Sequence, residues 1–189
     1  WWAIAIVFVI AVPFSRTAAV IALAFVSFVA LREFLALAEM LAADRGAVAL
    51  LYLAIPLQYL WAWLGWYGAF LLFIPLCMLL AVATRLVLTG ETQGFVRAAA
   101  VMQWGLMTTV YSLSHLAFLL ALPQPEGVSY NGVTLLFFVV FLTEFNDVAQ
   151  YVWGKLFGRR KILPSVSPNK TWEGFLGGWI TTAALIWFV

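Results

Sequence analysis

Charged residues are scarce in this sequence of 189 residues. Lys, Arg, Asp and Glu together make up 10%, whereas hydrophobic residues make up 66%. The mean hydropathy is +1.04. Because a soluble globular domain carries about 25% charged residues, this composition excludes that class. The sequence therefore predicts an integral membrane protein.

Cysteine is almost absent as well. Cys77 is the only cysteine, and it lies inside an apolar run. A single cysteine excludes both an internal disulfide framework and a cysteine-based metal site. We expect Cys77 to be packed in the core.

The few polar breaks divide the chain into seven apolar segments, which we interpret as transmembrane helices. A helix needs about 20 apolar residues to cross the ~30 Å hydrocarbon core. The predicted segments are 1–14, 17–38, 47–64, 67–88, 98–122, 133–153 and 174–189. Both ends of the sequence interrupt apolar runs. We therefore expect an all-α, polytopic, single transmembrane domain over residues 1–189, with its first and last segments truncated.

The distribution of basic residues predicts the orientation. Regions 32–46, 85–97 and 154–173 contain nine of the ten Lys and Arg residues, and only Arg16 falls on the opposite side. Short loops rich in Lys and Arg stay in the cytoplasm. We therefore expect these three regions on the cytoplasmic side of a bacterial inner membrane.

Half of the basic residues lie in the predicted 154–173 loop. They are Lys155, Arg159, Arg160, Lys161 and Lys170. For the basic run at 159–161, contact with an anionic leaflet and steering of a charged substrate are equally open interpretations.

The end of this loop has the pattern of a helix start. Ser167 is a good N-cap, and Pro168 suits the first helical position. The free amides of such a helix start would bind an anion together with Lys170. The sequence thus predicts a phosphate site here.

Two carboxylates interrupt the apolar segment before the loop. Glu144 and Asp147 are three residues apart and share one helix face, which Gln150 and Tyr151 extend. Carboxylates at membrane depth are costly unless they are paired, and they usually mark functional sites. Oxygen ligands beside phosphates favour Mg²⁺. Pairing with Lys or Arg that only holds helices together is the alternative.

At these residues the sequence resembles the phosphatidate cytidylyltransferases, a polytopic membrane family. The resemblance is carried by Asp147 to Tyr151 (DVAQY), by Gly154-Lys155 and Phe157-Gly158, and above all by the run SPNKTWEGFLGG from Ser167 to Gly178. The last motif is highly specific. The multi-helix layout agrees over the whole chain.

The resemblance implies a reaction of CTP with phosphatidate that gives CDP-diacylglycerol and pyrophosphate. Asp147 and Lys170 are implied as catalytic residues, because Asp147 would bind Mg²⁺ and Lys170 would neutralise a phosphate. The predicted substrate-binding residues are Ser167, Asn169, Thr171, Lys155, Arg159 and Arg160. The predicted metal ligands are Asp147, Glu144 and Glu173, and Glu173 has the alternative role of holding Lys170.

The predicted partners are CTP, phosphatidate and the lipid bilayer, with no nucleic acid. A homodimer and a second metal ion stay open. Gln150, Glu144 and Asn146 depart from the residues common in the family, which indicates a divergent branch. The family's second signature is expected beyond Val189, so part of the metal site is expected there, and activity of this fragment alone stays open.

Three alternatives remain, one of which is a non-catalytic relative that only binds lipid. A transporter or channel could use Glu144 and Asp147 to line an ion path, although the polar residues concentrate at one membrane face. A cytidylyltransferase acting on a different phospholipid is also open, since apolar walls that contact lipid tails leave little trace in a sequence.

Overall fold

Long apolar helices dominate the structure, as the composition predicts. The computed structural model describes residues 15–40, 44–90, 94–123, 127, 131–165 and 167–188. The elements in chain order are α1 Arg16–Leu37, α2 Arg45–Leu64, α3 Tyr67–Leu88, α4 (Phe95–Gly105, Leu106–Tyr111 and Ser112–Leu119), α5 Gly132–Phe157, β1 Lys161–Leu163, β2 Ser167–Thr171 and α6 Trp172–Phe188. They group into two compact units, Trp1–Val133 and Thr134–Val189.

Four of the described helices, α1, α2, α3 and α5, are long and apolar enough to cross a membrane. This confirms the prediction of an all-α polytopic membrane protein. The count of seven segments stays a prediction, because segment 1–14 lies outside the described residues and α4 and α6 do not meet the same standard of length and hydropathy.

In the first unit, α1 to α4 pack around a continuous apolar core. Leu31, Leu51, Phe70, Ile74 and Leu106 are among its fully buried side chains. The expectation that Cys77 belongs to this core is wrong, because Cys77 is exposed. It lies in a π-helical segment of α3, Phe73–Met78, whose buried side chains are Ile74 and Met78.

Pro75 explains why α3 needs polar partners from other helices. Proline has no N–H group, so it cannot donate to the carbonyl of Leu71 or, in π-helical spacing, of Phe70. The Gln58 side chain donates to the Phe70 carbonyl at 3.1 Å, and the Tyr111 hydroxyl donates to that of Leu71 at 3.4 Å. Side chains of α2 and α4 therefore donate to the two carbonyls that the missing N–H group of Pro75 could have bonded.

Two arginines mark opposite ends of α2. Arg85 donates to the carboxylate of Asp44, with Nε–Oδ2 2.6 Å, while Asp44 also caps the first turn of α2 through the amides of Gly46 and Ala47. Arg16 donates to the carbonyl of Trp63 near the other end of α2. Arg16 is therefore separated from Arg85 by the length of this helix.

The second unit is an antiparallel pair, α5 and α6, joined by a β-hairpin. Glycines let the helices approach closely, because a Cβ atom at Gly174 would lie 2.9 Å from the Cα of Gly154. Gly174 and Gly178 are four residues apart in α6, which is the small-residue spacing of close helix crossings in membranes, and a Cβ atom at Gly178 would lie 2.9 Å from the backbone nitrogen of Gln150. Trp153 donates to Thr181 at 2.8 Å across the pair.

The helix boundaries correct two predictions. Helix α5 continues to Phe157, so Lys155 lies in the last turn of this helix and not in a loop. The positive charge of Lys155 is favourable there, because the C-terminal end of a helix dipole is negative. Ser167 and Pro168 do not start a helix. They belong to β2, which pairs antiparallel with β1 through Lys161↔Thr171 and Leu163↔Ser167.

Helix α6 begins only at Trp172. The Thr171 hydroxyl, instead of Ser167, accepts the hydrogen bond from a first-turn amide, that of Gly174, at 3.2 Å. Proline is tolerated in β2 because a two-stranded sheet has free edges on both sides. Because β2 extends from Ser167 to Thr171, Lys170 is a strand residue and does not lie in the first turn of a helix.

The close crossing predicts opposite effects of Gly→Ala at two sites. Alanine at Gly174 would place Cβ 2.7 Å from the Gln150 carbonyl oxygen and 2.9 Å from the Gly154 Cα, both of which are backbone atoms. We expect Gly174→Ala to lower the free energy of unfolding by about 1–3 kcal/mol, as overpacking does. Thermal unfolding of the purified full-length protein in detergent measures this change.

Gly68→Ala is the matched control, because a Cβ there meets no atom within 4 Å. Since alanine favours helix over glycine by up to about 1 kcal/mol, the control should keep or slightly raise stability. Equal destabilisation by both changes would contradict the close crossing.

The Asp44–Arg85 pair predicts a dependence of stability on acid. The hydrogen bonds from Arg85 are the largest of the effects that hold the pKa of Asp44 at about 2, below its ordinary value of 3.8. A carboxylate with a lowered pKa stabilises the fold above its unfolded pKa, and this contribution disappears as the pH falls from about 4 towards 2. We expect Tm to fall less between about pH 4 and about pH 2 in the Arg85→Gln protein than in the unchanged protein. Parallel curves of Tm against pH for the two proteins would show that the Asp44–Arg85 pair does not contribute.

Candidate functional site

A cleft of about 530 Å³ opens in the second unit, between α5, the hairpin and the start of α6. Its polar lining comes from both sides of the crossing. The lining residues are Asp147, Gln150, Tyr151, Gly154, Lys155, Ile162, Ser167, Asn169, Lys170, Thr171, Gly174 and Phe175. Six of the residues predicted from the sequence are among them: Asp147, Lys155, Ser167, Asn169, Lys170 and Thr171.

Helix α5 contributes one face to this cleft. Asp147, Gln150, Tyr151, Gly154 and Lys155 lie at positions i, i+3, i+4, i+7 and i+8. This spacing places residues on the same side of a helix. Along this face the carboxylate of Asp147 is followed by the Gln150 amide, the Tyr151 phenol and the Lys155 ammonium group. The Lys155 Nζ atom lies 5.8 Å from the centre of the Tyr151 ring.

Strand β2 supplies the opposing polar groups. Ser167, Asn169 and Lys170 line the cleft, and the latter two are exposed. Within the described residues, the side chains of Asn169, Lys170 and Asp147 form no hydrogen bond or ion pair with the protein. These groups are therefore available to a ligand.

Thr171, in contrast, is used by the fold. It is buried, with 6% of its surface exposed, and its hydroxyl oxygen accepts the amide of Gly174. Its Oγ1 would lie 3.2 Å from a Cβ at Gly154 and 2.7 Å from one at Gly158. Glycine at both positions leaves room for the Thr171 side chain, which fixes the end of β2 to the start of α6.

Glu173 is held by the loop that follows α5. Its carboxylate accepts the backbone amides of Arg159, at 3.0 Å, and of Arg160, at 3.2 Å. Hydrogen bonds from its own amide, and then from those of Arg159 and Arg160, lower the pKa of Glu173. Its carboxylate thus stays ionised and anchors the loop.

The three carboxylates predicted as metal ligands do not form one cluster. Glu144 and Glu173 are not among the residues that line the cleft, where Asp147 is the only carboxylate. Within the described part of the chain, no three His, Cys, Asp or Glu side chains are placed to hold a metal ion. Arg159 and Arg160 also lie outside the lining, with exposed side chains.

Mg²⁺ nevertheless fits the donors that remain. It is usually bound in nucleotide sites by one or two carboxylates together with phosphate oxygens of the substrate, and it seldom needs an all-protein cage. Asp147 provides one carboxylate, and Ser167 and Asn169 add neutral oxygens on the opposite wall. The donor set suits a metal ion that arrives with a phosphate ligand.

Several lining residues were not predicted as site residues. Periodicity placed Gln150 and Tyr151 on the Asp147 face, but gave them no role. Gly154 and Gly174 were recognisable only as small residues, and their importance depends on the helix crossing. Ile162 and Phe175 carried no signal, because apolar residues are common throughout this chain.

Comparisons with known proteins identify the family of this chain. The whole chain, residues 1–189, matches the cytidylyltransferase family. The uncharacterized protein YnbB of Escherichia coli (strain K12) is 42% identical over 181 residues, which cover 96% of this chain and 58% of that protein. The phosphatidate cytidylyltransferase of Haemophilus influenzae is 46% identical over 56 residues, which cover 30% of this chain and 19% of that enzyme.

A third relative, the phosphatidate cytidylyltransferase of Staphylococcus saprophyticus, is 46% identical over 57 residues, which cover 30% of this chain and 20% of that enzyme. No solved structure shows a significant match. The chain spans less than two thirds of the length of these relatives. Because the family match extends over every residue, the chain belongs to the cytidylyltransferase family.

Proposed function

We propose that this chain forms one wall of the active site of an enzyme that transfers a cytidylyl group from CTP to phosphatidate. The products are CDP-diacylglycerol and pyrophosphate. One observation carries the proposal: Asp147 and Lys170 face the same cleft from different elements, and neither is paired within the described residues. The names of the shorter matches, phosphatidate cytidylyltransferases, support the choice of substrate.

The chemistry brings several negative charges together. A phosphate oxygen of phosphatidate attacks the α-phosphorus of CTP, the bond from that phosphorus to the bridging oxygen breaks, and pyrophosphate leaves with the electron pair. Phosphoryl transfer of this kind depends on positioning and on neutralisation of charge. The ammonium groups of Lys155 and Lys170 neutralise phosphate oxygens from opposite walls of the cleft.

The neutral side chains orient what the lysines attract. The Ser167 hydroxyl and the Asn169 amide donate hydrogen bonds to phosphate oxygens, which fixes the triphosphate relative to α5. Asp147 would hold Mg²⁺ at the other wall, where the bound ion would supply further neutralisation of the developing charge.

The position of the cleft along α5 suits one soluble and one lipid substrate. Asp147 to Lys155 occupy the last turns of a helix that is long enough to cross a membrane. A cleft at a helix end meets both the headgroup layer and water. We propose that this end faces the cytoplasm, as the distribution of Lys and Arg favours, so that CTP enters from solution and phosphatidate from the leaflet.

Asp147→Asn tests the metal-binding role. The change keeps the size of the side chain but removes its charge, so we expect kcat/KM for CTP to fall on the order of 10²- to 10³-fold. Pyrophosphate release by the purified full-length protein, with CTP, phosphatidate and Mg²⁺, measures this loss. Glu144→Gln, one turn away and outside the cleft, should lower kcat/KM much less. An equal loss of kcat/KM in both variants would favour a metal site shared by the two carboxylates.

Lys170→Ala tests the phosphate contact. Loss of one positive charge that faces the triphosphate should lower kcat/KM on the order of 10²-fold, with partial recovery in Lys170→Arg. Arg97→Ala removes an exposed charge on α4 and serves as the control, which should stay within about two-fold. Undiminished turnover in Lys170→Ala would exclude this residue from the site. Absence of pyrophosphate release by the unchanged protein would refute the proposed function itself.

A further inference from the structure

The basic run at the start of the hairpin lies outside the cleft. We infer that Arg159, Arg160 and Lys161, named here the basic edge, form a binding surface for the headgroups of anionic phospholipids. This inference concerns lipid binding and does not depend on the proposed reaction.

The side chains of the basic edge are unused by the fold. All three residues are exposed, and none lines the cleft. Within the described residues the only salt bridge is Arg85–Asp44, in the first unit. The basic edge thus presents three adjacent positive charges that have no ion-pair partner in the described part of the chain.

Glu173 is the carboxylate that faces this edge, and it fixes the backbone of the two arginines. Its oxygens accept the amides of Arg159 and Arg160, and the Arg160 carbonyl accepts the amide of Trp172 at 2.9 Å. Its charge offsets part of that of Arg160. The edge as a whole remains positive. Because the backbone is held, the side chains project from a defined site, which reduces the entropy lost on binding.

Apolar side chains beside the basic edge indicate a lipid partner instead of a soluble anion. Leu156, Phe157 and Leu163 expose 68%, 56% and 57% of their surface. Such side chains favour the acyl boundary, whereas neighbouring Lys and Arg favour anionic headgroups. A water-soluble phosphate would satisfy the charges but leave this apolar surface in water. An anionic phospholipid satisfies both.

Binding of phosphatidylglycerol to the purified full-length protein tests the inference. Native mass spectrometry across a lipid titration measures its dissociation constant, with phosphatidylcholine as the neutral comparison. Each basic residue near an anionic surface contributes a factor of about five, so Arg159→Gln with Arg160→Gln should weaken phosphatidylglycerol binding on the order of 25-fold. Binding of phosphatidylcholine should not change.

Two further variants separate this surface from a general effect of charge. Arg32→Gln with Arg97→Gln removes two exposed arginines from different helices and should change binding less than about two-fold. Arg159→Lys with Arg160→Lys keeps the charge and should retain most of the binding. Thermal unfolding of each variant checks that the fold is intact.

Three results would overturn the inference. The first is unchanged phosphatidylglycerol binding in the Arg159→Gln, Arg160→Gln protein. The second is an equal loss in the control pair. The third is displacement of phosphatidylglycerol from the unchanged protein by inorganic triphosphate, together with loss of triphosphate binding in the Gln variant, which would assign these arginines to the nucleotide instead.

Discussion

Hydrocarbon offers no hydrogen-bond partners, so each polar group in an apolar helix has to find one within the protein. Hydrogen bonds between elements in both units reflect this constraint, while the Gln58 Oε1, Trp61 Nε1 and Gln103 Oε1 atoms are buried without a hydrogen-bond partner among the described residues. In the first unit, the side chains of Gln58 and Tyr111 donate hydrogen bonds to backbone carbonyls of α3 to which Pro75, without an N–H group, cannot donate. In the second, Thr182 donates to Asn146 at 3.3 Å and Trp153 donates to Thr181. Among the described residues the side chains of Asp147 and Lys170 are also unpaired, and a membrane protein retains unpaired charged groups mainly where a ligand completes them.

The geometry of the cleft depends on how closely α5 and α6 approach. Gly154 and Gly174 allow the contact, and the buried Thr171 fills the space beside them while it caps α6. Thr171 follows Lys170 directly in the chain. The crossing therefore determines where the end of β2 lies, and with it the distance from Lys170 to the Asp147 face. The glycines act on the site without contributing a functional group.

Local pattern predicted the α5 face well, because helix periodicity alone places Asp147, Gln150 and Tyr151 together. The same kind of reasoning failed at Ser167 and Pro168. Serine followed by proline suits a helix start, yet it is also compatible with a strand edge, and the choice depends on pairing with β1 and on the crossing of the two helices. The role of Glu173 was hidden for a related reason. Its partners are backbone amides of a loop fourteen and thirteen residues earlier in the chain, and backbone amides leave no mark in a sequence.

Charge balance separates the two basic groups of the second unit. Within the cleft, Lys155 and Lys170 carry two positive charges against the single carboxylate of Asp147, so the described lining has a net positive charge and favours an anionic ligand. Arg159 and Arg160 lie outside the lining of the cleft, although they are close in sequence to Lys155. Glu173 fixes their backbone on the loop, and their side chains are exposed. Lys161 pairs with Thr171, so the basic run lies beside the end of β2 that carries Lys170, yet of these cations only Lys170 lines the cleft.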